Sequence, residues 1–520
     1  MSTEGSESAP RTRAEARAAR AAAEAAEVAE SSAASVAEAE AEAQGSAEAE
    51  AGPAPRDPVQ GPTAPAPKDR RALYTLFAVV GVLAVVGAIL GTISVFQGPR
   101  LSQVQVHAAE AIDVSGSRVI LTANQALADI ETEQVSIEPA VPFTVDAAGR
   151  NIGIRFTVPL DDATEYTVSV GDVVGTGGGP ASDLQTVFTT PTAEMFLLNR
   201  TAEDDKIFRT DLKGDGVPVF THPRINDYRA TPTHLVVAVE EDDSSRIIVM
   251  DRDGDNSREL SLPGDGHVSS VQVSDRGGLV GYIYSDRKIS ETDGRASVLV
   301  TQSLAGDDEP RIVEVGDAEA SIAEWQFVPD SAAVLFIDFA GTLSLDDRSA
   351  TAGAQNMGIA MRLLGVSRGT YTAIVERVDG STVELNLADG SETVLAETDA
   401  ELGDATSITP FPGGTLRHVV ARDADGLPTG QSVIRVDGDG VAESLVEVAP
   451  GNAILQTCAS PSGQYAAVTV APNLTDNPYD DMLVPLPTTL ETHLFDLRSG
   501  EALPVLTGFD ISWCQMAPAF

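Results

Sequence analysis

WQFVPDSAAVLFIDFAGTLSLDD, residues 325–347, holds three short β-strands and two turns in a single unit. Pro329-Asp330 breaks the first strand, the run AVLFI is apolar on both sides as a fully buried strand must be, and Ala340-Gly341 turns the chain into a third strand, TLSL. The same order returns in CASPSGQYAAVTVAP (458–472) followed by THLFDLRSGEALPVL (492–506). More degenerate copies include VQVSDRGGLVGYIYS (271–285) and ITPFPGGTLRHVVARD (408–423). Units therefore start near Ile225, His267, Ser321, Gly365, Ala405 and Ala453, a period of roughly 40 to 55 residues.

Four strands at that period predict a β-propeller, in which each blade is a small sheet packed on the next. Six complete blades follow from the six starts. Residues 194–220 supply three more strands without an inner one, and FDISWCQMAPAF (509–520) supplies an inner strand with nothing after it. Joining the two closes a seventh blade and removes a free sheet edge. Cys458, in the last full blade, and Cys514, in the closing strand, would then flank one another. If they face, a disulfide staples the closure, and otherwise they are two small buried thiols. The units resemble those of TolB-type and WD-repeat-like propellers, with the Asp-Gly turn partly kept as Pro329-Asp330 and Pro461-Ser462-Gly463.

Upstream, residues 99–192 alternate apolar and polar positions in short runs such as SRVILTA, IGIRFTV and EYTVSV, which predicts a β-sandwich. Val119 and Leu121 share one face, as do Tyr166, Val168 and Val170. Pro159, Leu160, Tyr166, Thr167, Val168 and the closing Phe188-Thr189-Thr190 resemble the bacterial Ig-like domain of surface-layer proteins of the SbsA type. That resemblance implies a spacer or adhesion module with no catalytic residues.

Residues 72–96, ALYTLFAVVGVLAVVGAILGTISVF, contain no charge, Asn, Gln or Pro and are long enough to cross a bilayer as one helix. Lys68, Arg70 and Arg71 precede the run, which predicts a cytoplasmic N-terminus and an extracytoplasmic remainder in a cell membrane, consistent with a bacterial envelope protein. Gly87 and Gly91 form a small-xxx-small pair through which two helices could pack as a weak homodimer. Residues 1–71 combine an Ala/Glu/Arg/Ser tract too poor in large apolar residues for a core with a Pro-rich spacer, so they read as a disordered, acidic cytoplasmic tail.

The fold class expected is thus an all-β ectodomain, an Ig-like β-sandwich at 99–192 and a seven-bladed propeller at 194–520, on a single N-terminal transmembrane helix. A net charge of −44, from 34 Lys+Arg against 78 Asp+Glu, excludes a general nucleic-acid binder.

No motif announces chemistry, and no catalytic, cofactor-binding or metal residues are assigned. The run from Asp251 through Asp253 and Asp255 lacks the Gly and Glu that a calcium loop needs, offering Asn256 and Leu262 instead. Asp211, Asp251, Asp389, Asp437 and Asp496 each follow an apolar strand, which hairpin turns explain. Gly365-Val366-Ser367-Arg368-Gly369 matches a nucleophile-elbow string, but a strand rather than a helix is expected after it. Trp325 and Trp513 are expected to pack between blades. The long Pro-rich insertion at 473–489 interrupts the last blade, and its Tyr479, Asp480 and Asp481 are the candidate contact residues. The function expected is non-catalytic binding or scaffolding of an envelope protein or cell-wall glycan. The rivals are a transmembrane sensor acting through the tail and a propeller enzyme acting on envelope glycans.

Overall fold

The computed structural model describes residues 79–85 and 98–518, apart from 291, 307, 317, 351, 352, 397 and 399–401. Residues 79–85 are helical and exposed. Among the described residues no helix is long and apolar enough to cross a membrane. The rest of the 72–96 run, with Gly87 and Gly91, and the tail 1–71 lie outside the described residues.

From Leu101 onward the chain is almost wholly β. Seven strands come first: β1 (Leu101–Val106), β2 (Arg118–Ala123), β3 (Val135–Glu138), β4 (Phe143–Ala148), β5 (Asn151–Phe156), β6 (Glu165–Val173) and β7 (Ser182–Thr189). They form two sheets, β1-β2-β5-β4 and β3-β6-β7. Period-two alternation turns Val119, Leu121, Ile152 and Ile154 of one sheet and Tyr166, Val168 and Val170 of the other into a common core. The strand absent from the sequence expectation is β4, whose Asp146-Ala147-Ala148 end is solvent-facing and weak in β-formers.

Among the described residues, seven further sheets of three or four strands follow in chain order, with a two-stranded ladder, Glu314–Val315 on Ala318–Glu319, between the third and fourth. The first contains Met195–Arg200, Asp205–Thr210 and Gly216–His222. The other six have four strands each and begin at Ile225–Ala230, Gly266–Ser274, Ile322–Phe327, Arg362–Val366, Asp404–Phe411 and Ala453–Ala459. The first strands of these six lie beside one another in sequence order. Apolar side chains fill most seams: Val236, Val249 and Tyr282 join sheets 2 and 3, and Trp325, Phe336 and Leu299 join sheets 3 and 4.

Each of the six first strands slips register against its second strand, between Ile225 and Asp227, Ser269 and Gln272, Ile322 and Glu324, Leu363 and Gly365, Ala405 and Ser407, and Ile454 and Gln456. A bulge bends the strand and re-aims the side chain that follows. Four of those side chains then bond to the next unit. Asp227 accepts from the Val271 N–H at 2.8 Å, Gln272 accepts from Phe327 N–H at 3.1 Å and donates to Trp325 C=O at 2.8 Å, and Glu324 accepts from Leu363 N–H at 2.6 Å. Gln456 donates to the Asp510 carboxylate at 3.2 Å and to Met516 C=O at 2.6 Å. Val271 lies within a bulge, and the other backbone groups so bonded belong to first strands at a sheet edge or to the closing segment, where no neighbouring strand would pair them.

The array is joined end to end. Leu198 and Phe509 exchange two backbone hydrogen bonds of 2.9 Å, a single bridge in place of the full inner strand expected at 509–520. Asp510 takes a left-handed conformation (φ 54°), which ends strand geometry there, and the chain turns at Ile511–Cys514.

Candidate functional site

Antiparallel register divides the array into two faces. At the front face the first strands begin and each second strand turns into the third. At the back face the first strands end.

Arg200, at the front end of the first sheet, gathers the closure. Its guanidinium pairs with Asp480 of the 473–489 loop at 2.6 Å, donates to Ile225 C=O of sheet 2 at 2.9 Å and stacks over Phe509 at 5.1 Å. Asp205 completes the corner by accepting from Ile225 N–H at 2.8 Å, and burial raises its carboxyl above the ordinary range. Deeper in, Arg229 lies between Asp227 (3.0 Å) and Asp510 (2.9 Å), all three buried. Burial raises the carboxyls of both Asp227 and Asp510 above the ordinary range, while the shared cation opposes both shifts. Cys458 and Cys514 are joined by a disulfide with Cα atoms 5.4 Å apart, linking sheet 7 to the closing segment.

Beyond Cys514 the chain runs between the first strands, where Gln515 C=O accepts from Arg229 Nε at 3.0 Å. Two cavities flank it. One of about 440 Å³ opens at the front face among Leu198, Trp325, Leu363, Met482, Phe509 and Met516. Another of about 810 Å³ lies among Arg362, Phe411, His418, Leu455, Gln456 and Trp513. The carboxylates at these walls are engaged: Glu324 by the Leu363 amide, Asp227 and Asp510 by Arg229. Burial lowers the His418 pKa, and the ring sits between Thr406 and Gln431. Such walls can hold a ligand by shape and apolar contact.

The candidate loop residues divide in role. Asp480 is an anchor: besides Arg200, its carboxylate accepts from the Leu486 and Met482 amides, so it shapes the loop from within. Asp481 is exposed and pairs with Arg224 at 3.1 Å, and Tyr479 is half exposed. The loop tip, Leu483-Val484, presents bare apolar surface beside the front cavity. Sequence reasoning passed over the post-bulge residues Asp227, Gln272, Glu324 and Gln456. Each is one of two or more polar residues in its first strand, as in INDYRA, GHVSSVQVS, IAEWQF and AILQTCA, so composition does not single it out.

Trp325 is buried and meets Phe327 edge-on at 5.4 Å, while Trp513 stacks on Tyr465 at 5.8 Å. The acidic turns are hairpin devices. The carboxylates of Asp211, Asp389, Asp437 and Asp496 each accept from the backbone N–H two residues on. Asp251 accepts from the Asn256 side chain, and Asp253 pairs with Arg209. Ser367 sits in a strand–turn–strand hairpin between Arg362–Val366 and Thr372–Glu376, not at a strand-to-helix elbow.

The back face is covered by the sandwich. Asp161 meets Arg498 through two hydrogen bonds of 3.0 and 3.1 Å. Asp162 accepts from Tyr465 Oη at 2.7 Å and from Ala193 N–H at 2.7 Å. Asp330, held by Arg368, accepts from the Ser115 hydroxyl at 2.6 Å. Asp113 stands 3.7 Å from Arg252 in a small cavity against the sandwich, and burial pushes its carboxyl up to about 6.

No protein-family model matches the chain, and no curated protein matches it. Among solved structures it is similar to the tricorn protease (9% identity, TM-score 0.39, covering 76% of this chain and 46% of that one). It is also similar to an uncharacterized protein of Listeria monocytogenes (11%, TM-score 0.40, 61% and 92%) and to a chain of a nidogen/laminin complex (12%, TM-score 0.31, 50% and 94%). The chain thus spans about half the length of the tricorn protease. Similarity at these TM-scores carries no argument about activity.

Proposed function

We propose that this chain is a non-catalytic, membrane-anchored extracytoplasmic binding protein. Its seven sheets are the blades of a propeller, its sandwich is an Ig-like spacer, and its front face contacts an envelope protein or a cell-wall glycan. One observation carries the reading: the sandwich is bonded to the back face, so the front face, with its cavity mouth and apolar loop tip, is the side left open to a partner. The apolar run 72–96 supports the anchor, and the disulfide suits an oxidising exterior.

The test is capture by the full chain, with purified envelope proteins and cell-wall glycan fragments as prey. The paired substitutions Leu483→Ser and Val484→Ser should release the partner, whereas Val441→Ser, in the turn between the third and fourth strands of sheet 6, should not. Retention indifferent to the front-face change, or hydrolysis of a glycan by the chain, would overturn the reading.

A further inference from the structure

The turns between second and third strands at the front face share a feature. Five successive sheets each place at least one large apolar side chain there, more than half exposed: Ile289 in sheet 3, Phe339 in sheet 4, Val378 in sheet 5, Leu427 in sheet 6, and Leu483 with Val484 in sheet 7. An exposed leucine alone needs no explanation, but recurrence at one structural position around five sheets makes an arc rather than a scatter. The remaining two sheets carry carboxylates in the same turns, Glu203 with Asp204 and Asp242 with Asp243. Acidic residues also stand beside the apolar tips: Asp338 next to Phe339, Asp379 next to Val378, Asp425 near Leu427 and Asp481 near Leu483. Several arginines of this face are already spent on its own acids, Arg224 on Asp481 and Glu240, Arg287 on Asp265, and Arg295 on Glu319.

We propose that the front face docks a cationic amphipathic polypeptide, whose apolar side chains seat on this arc and whose lysines and arginines meet the carboxylates between and beside the tips. The proposal rests on the reading of the front face as the contact surface and names the chemistry of its partner. Charge complementarity selects that occupant. A second copy of this chain would bring the same acidic face and be repelled, and a bilayer with anionic headgroups would be repelled by the carboxylates beside four of the five tips and in the turns of the other two sheets. An amphipathic partner with a basic flank satisfies both components at once.

The full chain is held on a sensor surface through its N-terminal residues, with detergent below its micelle concentration. It is offered a leucine/lysine amphipathic peptide of about five helical turns, the same peptide with glutamate for lysine, and vesicles of phosphatidylcholine with and without phosphatidylglycerol. The lysine peptide should bind saturably and weaken as salt rises, while the glutamate peptide and both vesicles should not bind. Phe339→Ser with Leu427→Ser and Val484→Ser should weaken it about tenfold or more. Asp242→Asn with Asp243→Asn should flatten the salt dependence. Both positions have positive φ, which asparagine tolerates, so the turn is kept. Val217→Ser with Val441→Ser, exposed but away from this face, should change nothing. Binding that ignores the front-face variants, equal binding of the glutamate peptide, or front-face-dependent vesicle binding would each overturn the proposal. A glycan captured at the front face while the lysine peptide fails to bind would sink the proposal and leave the contact surface standing.

Discussion

Gly365 and Pro410 stand so close that a Cβ on Gly365 would lie 2.5 Å from the proline Cδ. Gly365 is the post-bulge residue of sheet 5, the place where its counterparts in sheets 2, 3, 4 and 7 reach across to the neighbouring unit. Here the neighbour comes to the strand, and the proline ring fills the space of the missing side chain.

Gly365→Ala is therefore expected to destabilise the chain by about 1–3 kcal/mol, because a proline ring and the Ile408 carbonyl, 3.3 Å from the added atom, have little room to retreat. Thermal unfolding of parent and variant checks this, and an unchanged midpoint would show that the seam between sheets 5 and 6 is looser than described.

The disulfide closes a sequence separation of 56 residues between sheet 7 and the closing segment. Replacing both cysteines by alanine should cost roughly 2–4 kcal/mol, mostly by freeing the unfolded chain. The Leu198–Phe509 bridge and the Arg200–Asp480 pair remain, so the folded form should persist with faster proteolysis near residues 508–518. Complete unfolding of the double variant at room temperature would show that those two contacts do not hold the closure.

Arg229→Met would leave Asp227 and Asp510 buried without their shared cation, at a cost of about 3–5 kcal/mol. Adding Asp227→Asn and Asp510→Asn to that variant should return part of the loss, since the charges that suffer are then gone. Denaturant titration of the single and triple variants measures the coupling, and equal stability of the two would refute it.

Asp113 sets a pH dependence at the contact between sandwich and array. Burial raises its folded pKa from the ordinary 3.8 to about 6, so the folded chain holds the proton longer than the unfolded one. Its charging then costs stability as pH rises from about 4 to about 6, and the cost is absent below that window. Asp113→Asn does not titrate. Its melting temperature should gain on the parent's across that interval and run parallel to it above, and a constant gap from pH 4 to 7 would contradict the assignment.

The repeat was legible because buried central strands such as AVLFI and YAAVTVA have no polar alternative. Starts read at Ile225 and Ala453 coincide with the strands, and those read at His267, Ser321 and Ala405 fall one residue away. Gly365 was read three residues late. Gln355–Ile359 and Arg362–Val366 abut across two residues, and one apolar stretch hides two strands of different sheets. Met357 and Leu363 from that stretch are buried, whereas Ile359 and Met361 emerge at the front face. The bulges were illegible, since an extra residue in a pleated strand leaves no mark on composition. The role of Asp480 was hidden for a related reason: its partner Arg200 lies nearly the whole array away in sequence, and only the closure brings them together.

The bridge between Leu198 and Phe509 also imposes a timetable on the growing chain. Leu198 is made roughly 300 residues before its partner, which at about 5–20 residues per second is ~15–60 s of synthesis. Throughout that interval the Met195–Arg200 strand has an open edge, with amides and carbonyls able to pair with any passing strand. Arg200 likewise waits for Asp480. The newborn protein thus carries an adhesive first sheet for the whole of that interval, and whatever escorts it must shield that edge until Phe509 has been made.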